Sequence, residues 1–382
     1  MRAGLTFNLK PADAAAHGDA FEEFDSIETI EALERALRAN GHEPVRIGYG
    51  AALLDADVDF VFNIAEGFGG RGRESHVPAV CELLGIPCTG SDPLTIGITL
   101  DKALAKTYAK AHGIAVAGDW RFPLFVKPAC EGSSMGITKS SLCRTPEELQ
   151  AVVAQMSKYG AVLIEEFLPG EEYTVGIVQG EVLGVMQVVP RSQEPDFVYS
   201  IDVKRDYENL VDYKLVQADD VAQLALDVWR EFGLRDVARI DVRRDRDGVP
   251  CFIEVNPLPG VHPKHSDLVI MARLAGVAYE ELIGRIVARV IPSVVEGPGW
   301  AVGAPPVPPG PSTTLGMTVT CHAERSRGIP SGRSESRASA GDSSTVFAAR
   351  NDTDATVIPS VVEGPGWAVG APPVPPGPST TL

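Results

Sequence analysis

An α/β fold in three successive regions, followed by a tail that does not pack, is what this sequence predicts, and three observations carry the prediction. Over residues 1–92, short apolar runs alternate with segments of helical period, the mark of a small open α/β layer. Further on, apolar runs come in pairs about turn-rich loops, one pair near 122–137 and a hairpin near 237–256. After Val290 the chain becomes Pro- and Gly-rich, and residues 290–315 recur letter for letter at 357–382.

In chain order, residues 2–9, 45–48 and 58–65 read as strands, with a helix over about 26–40 between the first two. That helix has a capping box in Asp25 and Glu28, an apolar stripe of Ile27, Ile30, Leu33 and Leu37, and a stop at Gly41. A helix over 75–84 leads into Ile86, and the first region ends near Ser91. One long helix is expected from Pro93 to about His112, then strands near 124, 137 and 161 around a helix at 146–158. The third region holds strands near 173 and 183, an irregular stretch at 191–216, a helix at 219–232, the hairpin and a final helix over 267–289. The domains expected are therefore 1–92, 93–170 and 171–290, with 291–382 as a tail.

Three segments carry chemistry. Arg239-Ile-Asp241 and Glu254-Val-Asn256 flank Arg246-Asp247-Gly248, a strong hairpin signal. Side chains alternate along a strand, so Glu254 and Asn256 share a face, and Asp241 faces them if the register allows. Such mixed oxygen ligands suit a hard cation bridging phosphates, although solvated acids on a hairpin would read similarly. Lys127 to Gly136 forms a Gly- and Ser-containing flap between two apolar runs; its N–H groups and Lys127 can hold phosphate oxygens, and a plain glycine turn is the blander reading. Leu163 to Glu172 is a strand that stops at Pro169-Gly170. Its end can meet a purine edge, with Phe167 and Leu168 on the faces and Glu172 on the ribose, or it is simply an acidic hairpin tip.

The formal net charge of −17 and a pI near 4.9 exclude a nucleic-acid partner that depends on a basic surface. No leader-like start and no run of membrane-spanning length is present, so a cytoplasmic chain is expected, with no membrane partner. Six cysteines without metal spacing read as reduced thiols, Cys130 included as an inert small residue.

Taken together and in order, these segments resemble the ATP-grasp superfamily, and within it the D-alanine:D-alanine ligases. The likeness spans residues 1 to 290 and includes Ile86-Pro-Cys-Thr-Gly-Ser91, Leu100-Asp-Lys102 with Lys106, the Lys127–Gly136 flap, Glu165–Glu172, Arg239-Ile-Asp241 and Glu254-Val-Asn-Pro-Leu-Pro-Gly260. The resemblance implies an α+β ATP-grasp architecture in three domains, with ATP between the central and C-terminal domains and the amino acids between the first and third. It implies Lys102 and Lys127 on the phosphates, and Glu131, Glu165, Glu166, Phe167, Leu168, Glu172 and Ile253 as further ATP contacts. Asp241, Glu254 and Asn256 match ligands of Mg2+ or Mn2+. Arg239 and the Gly260 N–H match oxyanion-stabilising groups, Ser133 the flap serine that orients substrates, and Lys204 a retained catalytic-loop lysine. Glu22, Glu66, Arg205 and Ser266 fall on the substrate side. The implied activity is ADP-forming ligation of two amino acids through an acyl phosphate, in the cytoplasm and for peptidoglycan (cell wall) biosynthesis. Small-molecule amino acids are the partners, and a homodimer is one option.

The departures lie on the substrate side. The ligases carry Glu-Arg-Glu-Val-Ser where this chain has Phe21 to Ser26, which leaves Glu22 as the counterpart of the amine-binding glutamate. They carry His-Gly where it has Glu66-Gly67, and Lys-Tyr where it has Lys204-Arg205. Arg205 is expected to close over the site and pair with a carboxylate of the acceptor, of Glu22 or of Glu66. A nucleotide-binding regulator, or a phosphotransferase without ligase activity, is the alternative function. The duplicated tail reads as appended repetitive sequence without order, and its rival reading is a Pro-rich partner ligand.

Overall fold

The computed structural model describes residues 1–290 except 119, 133 and 193–195. All of these fall in one of the two compact units into which the chain divides. The other unit, Val294–Val357, lies wholly outside the described residues, as does the whole of the expected tail.

Helical crossovers make the first sheet parallel: β1 (Arg2–Thr6) lies between β2 (Glu43–Arg46) and β3 (Phe60–Asn63). The first crossover is α1 (Ile27–Ala39), whose Ile30, Leu33 and Leu37 are fully buried. Its cap is Ser26, which accepts the Thr29 N–H at 3.2 Å, and not Asp25. Asp25 is held outside the helix by an extended pairing with Leu9, in which its own N–H donates to Asn8 at 2.9 Å. Ile27, at the first helical position, is 48% exposed and off the packed stripe. Beyond β3, α2 (His76–Leu84) stops at Gly85 in the left-handed region, where glycine carries no Cβ penalty.

Two helices, α3 (Pro93–Leu100) and α4 (Lys102–Ala111), stand where one was expected. Asp101 is extended, and its carboxylate accepts from the N–H groups of Ala103 and Leu104 at 3.1 and 3.0 Å. An N-cap inside a periodic run restarts the helix, and Lys102 thereby becomes the first residue of α4. The second sheet is antiparallel in the order β5-β4-β6, from β4 (Leu124–Pro128), β5 (Leu142–Cys143) and β6 (Val162–Glu166), with α5 (Pro146–Met156) packed on it. The strand expected at Ile137 is absent. Ser141 Oγ takes the Thr138 N–H at 3.0 Å, and this local bonding replaces a ladder until Leu142.

The third sheet holds β7 (Glu172–Val178), β8 (Glu181–Pro190), β9 (Val211–Leu215), β10 (Val237–Arg244) and β11 (Pro250–Asn256), antiparallel in the order β11-β10-β7-β8-β9. The stretch expected to be irregular contains α6 (Ile201–Arg205), α7 (Tyr207–Leu210) and β9. After it come α8 (Asp219–Glu231), α9 (Asp267–Leu274) and α10 (Tyr279–Val287). The last two replace one expected helix, since Gly276 adopts φ 78° and ends α9. Ala3, Leu5 and Phe60 share a core with Leu268, Ile283 and Ile286, so the first and third regions are held by one apolar cluster. Each such fully buried large side chain contributes roughly 1.5–3 kcal/mol. No helix among the described residues is long and apolar enough to cross a membrane.

Candidate active site

Arg239, Asp241 and Arg243 alternate along β10 and so share one face. The register sets Asp241 against Glu254 and Arg239 against Asn256, with Thr174 and Gly176 of β7 on the other side. A register shift after Asp241 leaves Ile253 as an extra residue of β11. This bulge lets Phe252 and Val255 both reach the core while Glu254 and Asn256 face away from it. The turn is set by Asp245, whose carboxylate accepts from Asp247 and Val249 at 2.9 and 2.8 Å. Thr174 donates to Asp241, and Asn256 Nδ2 lies 3.4 Å from Asp241 Oδ2. Burial raises the Asp241 carboxyl. Burial acts on Glu254 too, but Lys102, Lys127, Lys204 and Arg239 outweigh it and hold that carboxyl far below the usual range. Two carboxylates face to face, with the Asn256 amide beside them, offer side-chain oxygen donors of the kind that fits a hard divalent cation.

Arg239 donates from Nη2 to Asp241 at 3.0 Å and from Nη1 to Asp267 at 2.9 Å. Its buried Nε has no hydrogen-bond partner among the described residues. Gly260 lines a cavity beside this face, and a Cβ there would come within 2.8 Å of Ser266 Oγ, which accepts the His262 N–H at 2.8 Å. A side chain at this position would push the Ser266 hydroxyl off the His262 N–H.

At the edge of the second sheet, Lys127 on β4 and Lys106 on α4 converge on Glu165 of β6. Lys127 Nζ lies 2.9 Å from the carboxylate, and Lys106 is paired with its other oxygen. Burial alone would raise Glu165, but the two lysines hold it at about 2. Its neighbour Glu166 points the other way and pairs with Arg246 at the hairpin turn. Phe167 and Leu168 are buried. Glu172 bonds Arg243 at 3.1 Å. The flap is tied down at several points: Lys102 Nζ donates to the Glu131 carbonyl at 2.5 Å, Arg73 to the Cys130 carbonyl at 2.9 Å, and the Gly132 N–H to Glu23 at 2.8 Å. Cys130 is partly covered, and burial raises its thiol, in keeping with an inert role.

A cavity of about 550 Å³ opens beside this sheet. Lys102, Arg239, Glu254 and Asn256 form one wall of it, and Glu22, Glu66 and Arg205 another. Arg205 on α6 pairs with Glu22 across 183 positions of sequence, the partner being one of those the sequence offered. Glu22 also has Lys10 at 3.6 Å. Lys204 lies over the Tyr199 ring, 5.4 Å from its centroid. Among the described residues, Glu23, Glu66 and Glu74 bring carboxylate oxygens within 4.8 Å of one another, and burial with mutual repulsion raises Glu66 well above the ordinary range.

Nearly all residues singled out from the sequence thus converge on the face of the third sheet, the β6 end or the cavity; Ser133 lies outside the described residues. Lys127, Glu165, Phe167, Leu168 and Glu172 do not line the cavity. Arg73, Arg243, Asp267, Tyr199 and Tyr213 join the site without being among the residues that the sequence singles out. Arg243 had a signal, since it stands two positions beyond Asp241 on the same face. The phenols of Tyr199 and Tyr213 are bonded to each other on the cavity wall, so phenol groups are present there although Arg205 stands where the ligases have tyrosine.

A family model described as the D-ala D-ala ligase C-terminus matches residues 97–288, about half of the chain. A D-alanine–D-alanine ligase of Aquifex aeolicus is 32% identical over 295 residues, covering 71% of this chain and 97% of its own length. One from Fusobacterium nucleatum is 29% identical over 285 residues, covering 70% and 94%. Among solved structures, the Bacillus anthracis D-alanine–D-alanine ligase complexed with ATP matches with a TM-score of 0.59 at 24% identity, over 76% of this chain and 96% of that one, which is a likeness of fold. The matched segment contains the hairpin, the flap and both lysines, and the relative from Aquifex aeolicus is covered almost end to end: the chain belongs to the D-alanine–D-alanine ligase family.

Proposed function

We propose that this chain joins two amino acids by an amide bond while ATP is cleaved to ADP. It is an ATP-dependent ligase, and the order of steps we infer is phosphorylation of one substrate's carboxylate followed by attack of the second substrate's amine on the acyl phosphate. The observation that carries the reading is the shared wall of Arg239, Glu254, Asn256 and Lys102, where phosphate-binding and oxyanion-stabilising groups meet the substrate cavity. Lys102 and Lys127 hold phosphate oxygens, Glu165, Phe167, Leu168 and Glu172 surround the nucleoside, and Glu131, Glu166 and Ile253 complete that side. Asp241, Glu254 and Asn256 would hold Mg2+ or Mn2+, which when bound neutralises phosphate charge. Arg239 and the Gly260 N–H stabilise the tetrahedral oxyanion. Lys204 and the flap serine Ser133 act on the reacting groups, and Ser266 supports Gly260. We take residues 1–92, 93–170 and 171–290 as the three domains around this site, and the cytoplasm as its place of work. ADP release across a panel of D- and L-amino acids, with products identified by mass spectrometry, tests the reading. ADP release without any amide product would replace it with a phosphotransferase.

Lys127→Ala should raise the KM for ATP and lower kcat together, by about 10- to 100-fold in kcat/KM, because the ammonium meets phosphate in ground and transition states alike. Lys106 remains to balance Glu165, so folding should survive the change. An unchanged ATP dependence would reduce Lys127 to a structural partner of Glu165.

Arg205 is about half exposed, with 49% of its side chain accessible, so its pair with Glu22 is screened and weaker than a closed bidentate contact. Arg205→Ala is expected to lower acceptor kcat/KM by about 2- to 10-fold. If Arg205→Tyr raises D-alanine ligation at the expense of another substrate, the position sets specificity. Identical kinetics in both variants would place Arg205 outside the site.

A further inference from the structure

We propose that Arg243 is a positioning residue for the nucleotide: it fixes the Glu172 carboxylate to accept the ribose hydroxyls, and so sets the preference for a ribonucleotide over a 2′-deoxyribonucleotide. This rests on the reading of Glu172 as the ribose-binding acid.

Arg243 has four partners, three of them within residues 167–172 and the fourth at Phe197. Its Nη1 donates to Glu172 at 3.1 Å, its Nε to the Gly170 carbonyl at 3.1 Å and its Nη2 to the Phe197 carbonyl at 3.0 Å. The guanidinium carbon stands 4.8 Å from the centroid of the Phe167 ring, within range of a cation–π contact. One planar fork thus spans the end of the β6 run, the first residue of β7 and the segment before α6. A guanidinium with this many fixed partners holds a carboxylate in one rotamer, which a single ammonium cannot do. Only 13% of the Arg243 side chain and 21% of that of Glu172 are accessible, so solvent does little to screen the pair. The like charges of Asp241 and Glu254 repel the Glu172 carboxylate, and Arg243 is the strongest attraction that offsets them, with Lys204 adding to it. Arg243 does not line the amino-acid cavity, so its effect should fall on ATP alone.

The test is steady-state kinetics of the full-length chain with ATP and with 2′-deoxy-ATP, for the native protein, Arg243→Leu, Arg243→Lys and Glu172→Gln. Arg243→Leu should raise the KM for ATP about 10- to 100-fold and change that for 2′-deoxy-ATP far less, so that the preference collapses toward the value in Glu172→Gln. Amino-acid KM values should stay within about 2-fold of native. Arg243→Lys should fall between. If Glu172→Gln keeps the native preference, the ribose reading of Glu172 fails and the proposal falls with it. If Glu172→Gln loses the preference while both Arg243 variants keep it, the ribose reading stands and the role of Arg243 is overturned. Should Arg243→Leu fail to fold, as judged by circular dichroism, Arg243→Lys decides by the same ratio.

Discussion

Glu254→Gln is expected to cut turnover by about 10²- to 10³-fold with the fold intact, since removing one preorganised electrostatic group from a site of this kind has an effect of that order. The side chain is isosteric, so the bulge at Ile253 and the packing of Phe252 and Val255 are undisturbed. What changes is charge. Glu254 stands 3.4 Å from Lys102, with Lys127, Lys204 and Arg239 also acting on it. A neutral amide leaves those cations facing one another, and it leaves a weaker oxygen donor beside Asp241 and Asn256. The Mg2+ concentration for half-maximal ADP release should rise as well, and Asn256→Ala should shift it in the same direction. Near-normal turnover in both variants at saturating Mg2+ would take the hairpin out of the active site.

Arg239→Lys should lower kcat by about 10²- to 10³-fold while the KM values of the amino acids change little, because in the proposed reaction the lost donors serve an oxyanion that exists only after attack. The guanidinium divides its donors between Asp241 and Asp267 and keeps Nε for another acceptor. A lysine has one nitrogen and cannot reproduce that fork. Arg239→Met would be the wrong test of chemistry. It strips the counter-charge from two mostly buried carboxylates, a change that destabilises by about 3–5 kcal/mol. Thermal melts alongside the kinetics separate the two effects. An Arg239→Lys protein with native kcat and only a lowered Tm would make Arg239 a structural ion-pair centre.

Much of the fold was legible because its signals are local. The hairpin could be read from Asp247-Gly248 between alternating runs, and α1 from the spacing of Ile30, Leu33 and Leu37. Misreadings arose where one polar side chain or one backbone torsion overrode a periodic pattern. Asp101 split a helix by capping the next turn, Gly276 split another through a positive φ, and Ser141 bonded Thr138 in place of a strand. Asp25 lost its capping role to Ser26 because a bridge to Leu9, distant in sequence, held it extended.

The sequence by itself determined the residue types and their spacing on single elements: Arg239 with Asp241, Glu254 with Asn256, Lys127 at the end of an apolar strand, the Pro-Gly stop after Leu168. Period-two alternation and turn chemistry act over a few residues, so they can be read without knowing what lies opposite. Which elements meet was decided only in three dimensions. Register set Asp241 against Glu254 and the bulge turned Glu254 out of the core; chain crossing brought Arg205 to Glu22, Arg73 to the flap, and Lys106 and Lys127 to one carboxylate. Arg243 needed the same closure, because Gly170, Glu172 and Phe197 lie dozens of residues away from it in the chain. Charge partners of this kind are brought together by sheet pairing and by the packing of elements distant in sequence, and no local pattern encodes that packing.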